Sequence, residues 1–408
     1  MRKLIGIVFV LLLGSFATPS LVGASNTNVV AWGAGKIIKH SDGNDYGQSI
    51  VPASLTNAVL VGGGFIHSLA LRADGTLMGW GDDSGGQTDF FPAGTNNYMS
   101  IACGYAHSLA LRTNGAVTAA GVGFFGQTTV PGGLSNVVAI ACGWYHSVAL
   151  KSDGTVIAWG AGSDTNKYSN PDYKQSVVPT GLSNVVAIAG GGYHTLALKA
   201  DGTVVGWGAG GGTNTDIDYQ QDVVPVGLTN VVGIAVGGFH SAALKADGTL
   251  ISWGLNNYGQ TNTPASLSNV VAIAAGGYHT MALKSDGTVV AWGAGGGSNT
   301  NVDYKQNVVP AGLTNVVQIA AGVLHSLAVT SNIGISIQAP AVNLSFQTNV
   351  FSLSVPSRNG RVYRLEYRDS LLDGAWIGLP LQAGNGRVLR LVDPAATAPG
   401  RFYRVRQW

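Results

Sequence analysis

The chain has 408 residues, of which 10% are charged and 46% hydrophobic, with 60 Gly and a formal charge of +2. Disorder is excluded, because it needs low hydrophobicity and high net charge; the profile suits a β-rich fold with many tight turns and sheets buried on both faces. The charge is split: residues 25–334 carry 11 Lys and Arg against 16 Asp, a net of −5, and residues 335–408 carry 9 Arg against 4 acidic groups, a net of +5. Nucleic-acid affinity rests on basic contacts to phosphates, so no nucleic acid is expected as a partner of the first region.

At the N-terminus, Arg2 and Lys3 precede the apolar run Leu4 to Leu13 and a small-residue site, Val22-Gly23-Ala24. Residues 1–24 therefore read as a secretory signal peptide, cut after Ala24 or, alternatively, after Ala17. The run is short for a membrane span, and no other stretch is long and apolar enough. The mature protein is expected to be secreted or held at the cell surface, with no transmembrane span.

From residue 27 the chain repeats one sentence, in the third copy Asn136-Val-Val-Ala-Ile-Ala-Cys-Gly-Trp-Tyr-His146-Ser-Val-Ala-Leu-Lys-Ser-Asp-Gly-Thr-Val-Ile-Ala-Trp159-Gly160. Seven copies are anchored by His67, His107, His146, His194, His240, His279 and His325, at spacings of 39 to 48 residues. Such a period marks a solenoid, propeller or array. Each copy holds three β signals, and in six of the seven an Asp-Gly or Asn-Gly turn stands between the second and third. A fourth element carries a Gln (Gln48, Gln87, Gln127, Gln175, Gln221, Gln260, Gln306) and a Pro a few residues later. Strands apolar on both faces, with small residues alternating against large, fit sheets stacked between neighbours. Four short strands per copy around an axis predict a β-propeller blade.

Closure is also legible. The seventh copy lacks a Trp-Gly strand, and Thr27-Asn-Val-Val-Ala-Trp32-Gly nearly duplicates Thr288-Val-Val-Ala-Trp292-Gly. The first strand should complete the last blade and remove the open edges of a linear array. At these residues the sequence closely resembles the repeats of the regulator of chromosome condensation, over about residues 27 to 330. The resemblance implies a seven-bladed propeller whose last blade is built from both chain ends. Eukaryotic relatives are nucleotide exchange factors and chromatin binders, roles that a signal peptide and a −5 propeller argue against. Some secreted bacterial relatives use propeller loops as a protein-contact surface.

A residue present seven times is read as architecture before chemistry. The His series is expected to tie strands to neighbouring loops, the Trp series to pack between blades with the indole N–H bonded, and the Asn and Gln series to fasten turns. Converging imidazoles would be needed for a metal site, and none is expected. Cys103 and Cys142 read as small buried fillers; a disulfide would need Cα atoms within roughly 7 Å. Variation is more telling. The step from the Trp position to the Gln is 7 residues in three copies and 14 or 16 in four. The four long connections share Gly, Asn, Thr, Asp and Tyr, and all should emerge on one face. Tyr46, Tyr173, Tyr219 and Tyr304 are the candidate binding anchors, with Asp216, Asp218 and Asp303 beside them; the composition suits adaptable protein recognition. The acidic residues lack the oxygen-ligand spacing of a calcium loop.

Residues 335–345 read as a linker. Residues 346–408, with alternating apolar and Arg positions, read as a small β-sandwich of fibronectin type III character whose Arg faces are solvated or, alternatively, meet an acidic surface. The expected fold is thus all-β: a closed seven-bladed β-propeller over residues 25–334 plus that module. No enzyme constellation stands out; the chain's one Glu, Glu366, lies in the tail. The expected function is a monomeric, secreted, cofactor-free scaffold that binds a protein or other extracellular macromolecule through its long-loop face. An extracellular polysaccharide-acting enzyme and a surface-display protein are the alternatives.

Overall fold

In the computed structural model, the described residues are 27–35, 46–88, 95–162, 173–209, 217–296, 302–331, 343–347, 350–357, 361–368, 376–384, 388–394 and 402–407. The proposed signal peptide, most of the linker, Asp216 and the middles of the four long connections lie outside them.

Seven three-stranded antiparallel sheets form the blades. In blade 1 the inner strand is Ala58–Gly63, the middle strand His67–Arg72 and the outer strand Leu77–Gly81. Blades 2 to 6 repeat this order, with middle strands starting at His107, His146, His194, His240 and His279. Blade 7 takes Val316–Ala321 and His325–Ser331 from one end of the repeat region and Thr27–Gly33 from the other. Thr27–Gly33 runs antiparallel to the middle strand, pairing Thr27 with Ser331 and Gly33 with His325. The ring is therefore closed by strands distant in sequence, as the duplicated Trp-Gly strand implied.

Local chemistry explains the turns. At five hairpins the Asp carboxylate accepts hydrogen bonds from the backbone N–H and hydroxyl of the Thr two residues on, as Asp74 does from Thr76 at 2.9 and 2.6 Å, and in blade 2 the Asn114 side-chain oxygen accepts the Ala116 N–H. The intervening Gly75 has φ +81°, which a residue with a Cβ rarely adopts. The Asn that opens an inner strand is left-handed in six blades, with φ between 54° and 59° at Asn57, Asn136, Asn184, Asn230, Asn269 and Asn315. Asn tolerates that region better than most residues. Directly after it, the pairing of inner with middle strand slips by one residue in every blade, as between Val185 and Ala187. This bulge lets both Val185 and Val186 be buried.

The fourth element departs from expectation: the Gln segments are turns rather than strands. They do run beside the outer strand, since a Cβ on Gly79 or Gly206 would strike Thr88 or Asp222. Their fastening is by side chains instead of a ladder, and the following Pro lacks the donor that a ladder needs.

The C-terminal module is two antiparallel sheets, one of Asn343–Gln347, Val350–Pro356 and Val388–Asp393, the other built on Val362–Arg368 and Phe402–Gln407. Phe351, Leu353, Tyr363, Leu365, Leu391, Tyr403 and Val405 fill its interior. Phe351 stacks on Tyr403 at 3.8 Å, and the Tyr403 hydroxyl donates to Asp393 at 2.9 Å. The module does not stand apart. Leu381 N–H donates to Ala200 C=O at 2.9 Å, Arg406 Nη1 donates to Ala246 C=O at 2.7 Å, and Val362 and Leu381 join the blade 4 and 5 core. Ala200 and Ala246 begin Asp-Gly hairpins, so the module covers the hairpin face of the ring.

Candidate functional site: an aromatic hub on the loop face

The frame of the site is a set of closed rings. Each His Nε2 lies 2.8–3.1 Å from a Ser or Thr hydroxyl of the next blade, from His67 to Ser108 around to His325 with Ser68. Six of these hydroxyls give their proton to a Gln carbonyl, as Ser68 does to Gln48 at 3.0 Å. The hydroxyl must then accept from the imidazole, which fixes the Nε2–H tautomer. Nδ1 is left buried without a hydrogen-bond partner in all seven rings. Burial lowers all seven imidazole pKa values, to about 4 at His240 and about 3 at the others. A proton added at Nδ1 would find no acceptor, so the geometry argues the same way.

Every Gln is a two-sided lock. Its Oε1 accepts the backbone N–H two residues earlier, from Tyr46, Gly85, Phe125, Tyr173, Tyr219, Tyr258 and Tyr304 at 2.7–3.0 Å. Its backbone carbonyl also accepts an indole N–H of the next blade, for example Trp207 to Gln175 at 2.9 Å. Ala120 replaces the Trp in blade 2 and forgoes this bond.

Nearer the axis, the residue three before each His is Gly. A Cβ on Gly143 would stand 2.0 Å from His146 Cε1 and 2.5 Å from the Gly191 carbonyl, and the other six glycines meet the same two obstacles. Backbone bonds then link blade to blade around the axis: Phe65 to Tyr105, Tyr105 to Trp144, Trp144 to Gly191, Gly192 to Gly237, Gly238 to Gly276, Gly277 to Val323 and Val323 to Gly64. They enclose a cavity of about 60 Å³ lined mainly by glycine, with Cys103 and Cys142 on its wall. Both cysteines are free, and burial pushes the Cys103 thiol up to about 12.

On this frame sits the site itself. The two residues before each His form the turn from inner to middle strand, on the face where the connections leave the outer strands. There the copies differ. Phe65, Tyr105 and Trp144 are large where Gly192, Gly238, Gly277 and Val323 are small. Trp144 reaches over the gap: a Cβ on Gly238 would stand 2.8 Å from its Cζ2, and one on Gly192 3.2 Å from its Cδ2. Phe65 stacks on Tyr105 at 4.3 Å, and Trp144 meets Tyr193 and Phe239 edge-on at 5.4 and 5.2 Å. Tyr145, Tyr193, Phe239 and Tyr278 continue the array, each half-buried. Partial burial pushes the Tyr105 phenol up to about 12, and raises those of Tyr145, Tyr193 and Tyr278. The face thus offers flat aromatic area with phenol groups that stay protonated.

The candidate anchors border this hub. Tyr173 and Tyr219 meet Tyr193 and Phe239 edge-on at 5.4 and 5.8 Å, and Tyr304 packs with Val323 and Leu324. Tyr46 is half-buried, its N–H held by Gln48. Phe125 and Tyr258 take the same place in short connections, against Tyr145 and Tyr278. An aromatic two residues before the Gln is therefore part of the frame as well as the face. Asp218 and Asp303 accept the N–H of Gln220 and Lys305, capping local turns. Among the described residues, no three His, Cys, Asp or Glu gather as a metal site. Sequence reading passed over the hub aromatics. Their signal was available: the two residues before His are the most variable inside an otherwise constant sentence.

The family model of the regulator of chromosome condensation (RCC1) repeat matches residues 59–87, 100–127, 137–165, 185–211, 231–260 and 270–300. Among solved structures, the chain is similar to yeast RCC1 (Prp20), as bound to Kap60, with 21% identity, 76% of this chain and 90% of that chain covered, and a TM-score of 0.58. Prp20p from Saccharomyces cerevisiae, described with its binding properties to Gsp1p and histones, matches at 20% identity, 76% and 93% coverage and a TM-score of 0.57. Human WBSCR16 matches at 20% identity, 76% and 100% coverage and a TM-score of 0.53. These likenesses show the fold. No curated protein matches the chain.

Proposed function

From the premise that this chain is a β-propeller of regulator of chromosome condensation repeats, we propose that it is a secreted, non-catalytic scaffold that captures a protein on its loop face. The observation that carries this is the aromatic hub. Seven blades keep one frame, yet the residues at the hub differ from blade to blade, and large flat side chains are concentrated there. Tyr and Trp supply rigid contact area at little entropic cost and dominate binding hot spots. The reactive-looking imidazoles lie behind the glycine ring, fully buried and engaged, which favours binding over catalysis. The C-terminal module occupies the opposite face, leaving the hub side for a partner. The signal-like N-terminus supports an extracellular site of action.

The test replaces the four long connections with the short Gly-Gln form that blades 1, 2 and 5 already use. Closing a shorter loop changes the entropy by only about 0.7 kcal/mol each, so folding should survive. Lost partner binding with an unchanged melting curve supports the proposal, and undiminished binding contradicts it.

A further inference from the structure

Cys103 and Cys142 stand at one position of the repeat, four residues before His107 and His146, where the inner strands of blades 2 and 3 end. The other five copies place Gly63, Gly190, Val236, Ala275 and Ala321 there. All seven residues lie on the wall of the axial cavity of about 60 Å³. The strands of blades 2 and 3 nearly touch at this level. Tyr105 N–H donates to Trp144 C=O at 3.3 Å, and a Cβ on Gly104 would stand 2.7 Å from the Gly143 carbonyl oxygen. With ordinary bond lengths, the Cα atoms of Gly104 and Gly143 are at most about 6.6 Å apart. The cysteines directly before them share that step.

The thiols are also oriented alike. The Cys103 side chain turns toward the preceding blade, its Sγ 3.1 Å from where a Cβ on Gly62 would stand. The same position in blade 4 turns the same way, since a Cβ on Gly190 would stand 2.7 Å from the Cys142 carbonyl carbon. Cys142, in the blade between, follows that sense and brings its thiol toward Cys103. Burial and the neighbouring Cys103 thiol both push the Cys142 thiol up. The donor set selects the ligand. Among the described residues no group of three His, Cys, Asp or Glu forms a metal site, so the side-chain donors are two sulfurs. Zn²⁺ takes three or four protein ligands, whereas thiolates select soft cations such as Cu(I). A filled-shell monovalent ion accepts two sulfurs on opposite sides. At a metal–sulfur bond of about 2.3 Å that span is about 4.6 Å, within the step between the two strands. Cys103 is only half-buried, which leaves an ion a path to the pair.

We propose that Cys103 and Cys142 together bind one soft monovalent cation of the Cu(I) class, in linear two-sulfur coordination at the axis of the ring. Each thiol gives its proton to water as its sulfur bonds the ion, and nothing is oxidised or reduced. Ag⁺ shares this coordination chemistry and is the probe. The full chain, its two thiols first counted as free after unfolding, is titrated with silver nitrate in chloride-free buffer. Ultraviolet sulfur-to-metal absorption and native mass spectrometry follow the binding. One Ag⁺ per chain is expected, with Zn²⁺ silent at the same concentrations. Cys103→Ala and Cys142→Ala introduce the residue that blades 6 and 7 already carry there, so both variants should fold with an unchanged melting temperature. Each should bind Ag⁺ about ten-fold or more weakly, since even partners behind a ligand are worth that much. Thiols found joined to each other, no Ag⁺ bound, two ions bound with like affinity, equal uptake of Zn²⁺, or undiminished binding by either variant overturns the proposal.

Discussion

Acid should dismantle this ring, and the size of the effect follows from the seven imidazoles. Each is fully buried, its Nε2 is bonded to a hydroxyl of the next blade, and its Nδ1 has no hydrogen-bond partner. Folded values of about 3 to 4 stand against 6.5 for an ordinary His. Above pH 6.5 both states hold neutral rings and nothing is lost. Below it only the unfolded chain takes up protons, so stability falls as pH falls, and it goes on falling until about pH 3 to 4. One unit into that window each ring costs about 1.4 kcal/mol, and seven cost about 10 kcal/mol. That equals the whole stability of a typical domain, about 5–15 kcal/mol. Asp222, raised to about 6 chiefly by burial, works in the opposite sense, but it is a single, half-buried group. Guanidinium denaturation midpoints measured from pH 8 to 5 should drop steeply below 6.5, with a slope approaching seven protons and unfolding without denaturant near pH 5. A slope of one or two protons, or full stability at pH 5, would refute the reasoning.

Three further outcomes test the frame. Gly143→Ala drives a Cβ into the His146 ring and the Gly191 carbonyl and should cost at least about 3 kcal/mol; Gly132→Ala, with nothing within 4 Å, should leave the melting temperature unchanged. Trp207→Phe removes one of two donors to the Gln175 carbonyl and should cost about 1–2 kcal/mol in denaturant titrations; blade 2, with Ala120, already tolerates the loss. Deleting Thr27–Gly33 exposes the edge of His325–Ser331 and should abolish cooperative melting, whereas an unaltered curve would contradict the closed topology.

Much of the fold was legible because it rests on short-range chemistry repeated seven times. Asp-Gly turns, Asn at strand entries and the stray Trp32 strand each have one economical physical reading. The Gln segments were misread as strands because their spacing and composition fit one. Only the structure shows that Gln48 and its equivalents spend both carbonyl and side chain on neighbours, leaving no ladder to form. The candidate site was half legible. Loop length pointed to the face that carries the aromatic hub, yet Tyr173 and Tyr219 share their packing role with Phe125 and Tyr258, whose connections are short. The hub of Phe65, Tyr105 and Trp144 was missed because it is assembled across blades by the axis, and no single copy contains it. The burial of Arg364 and the bond from Arg406 to Ala246 were open for the same reason: a strand with alternating Arg looks the same whether water or a hairpin lies opposite.

The central claim is that the loop face, and not the hairpin face, meets the partner. A photo-reactive residue placed at Phe124, 82% exposed beside the hub, or at Val226, fully exposed where the chain enters blade 5 from the hairpin side, tests it directly when the labelled protein is incubated with both the lysate and the culture medium of its source cells. Cross-linking of a discrete protein from position 124 and none from position 226 is the predicted result. The reverse pattern, or equal cross-linking from both, would contradict it.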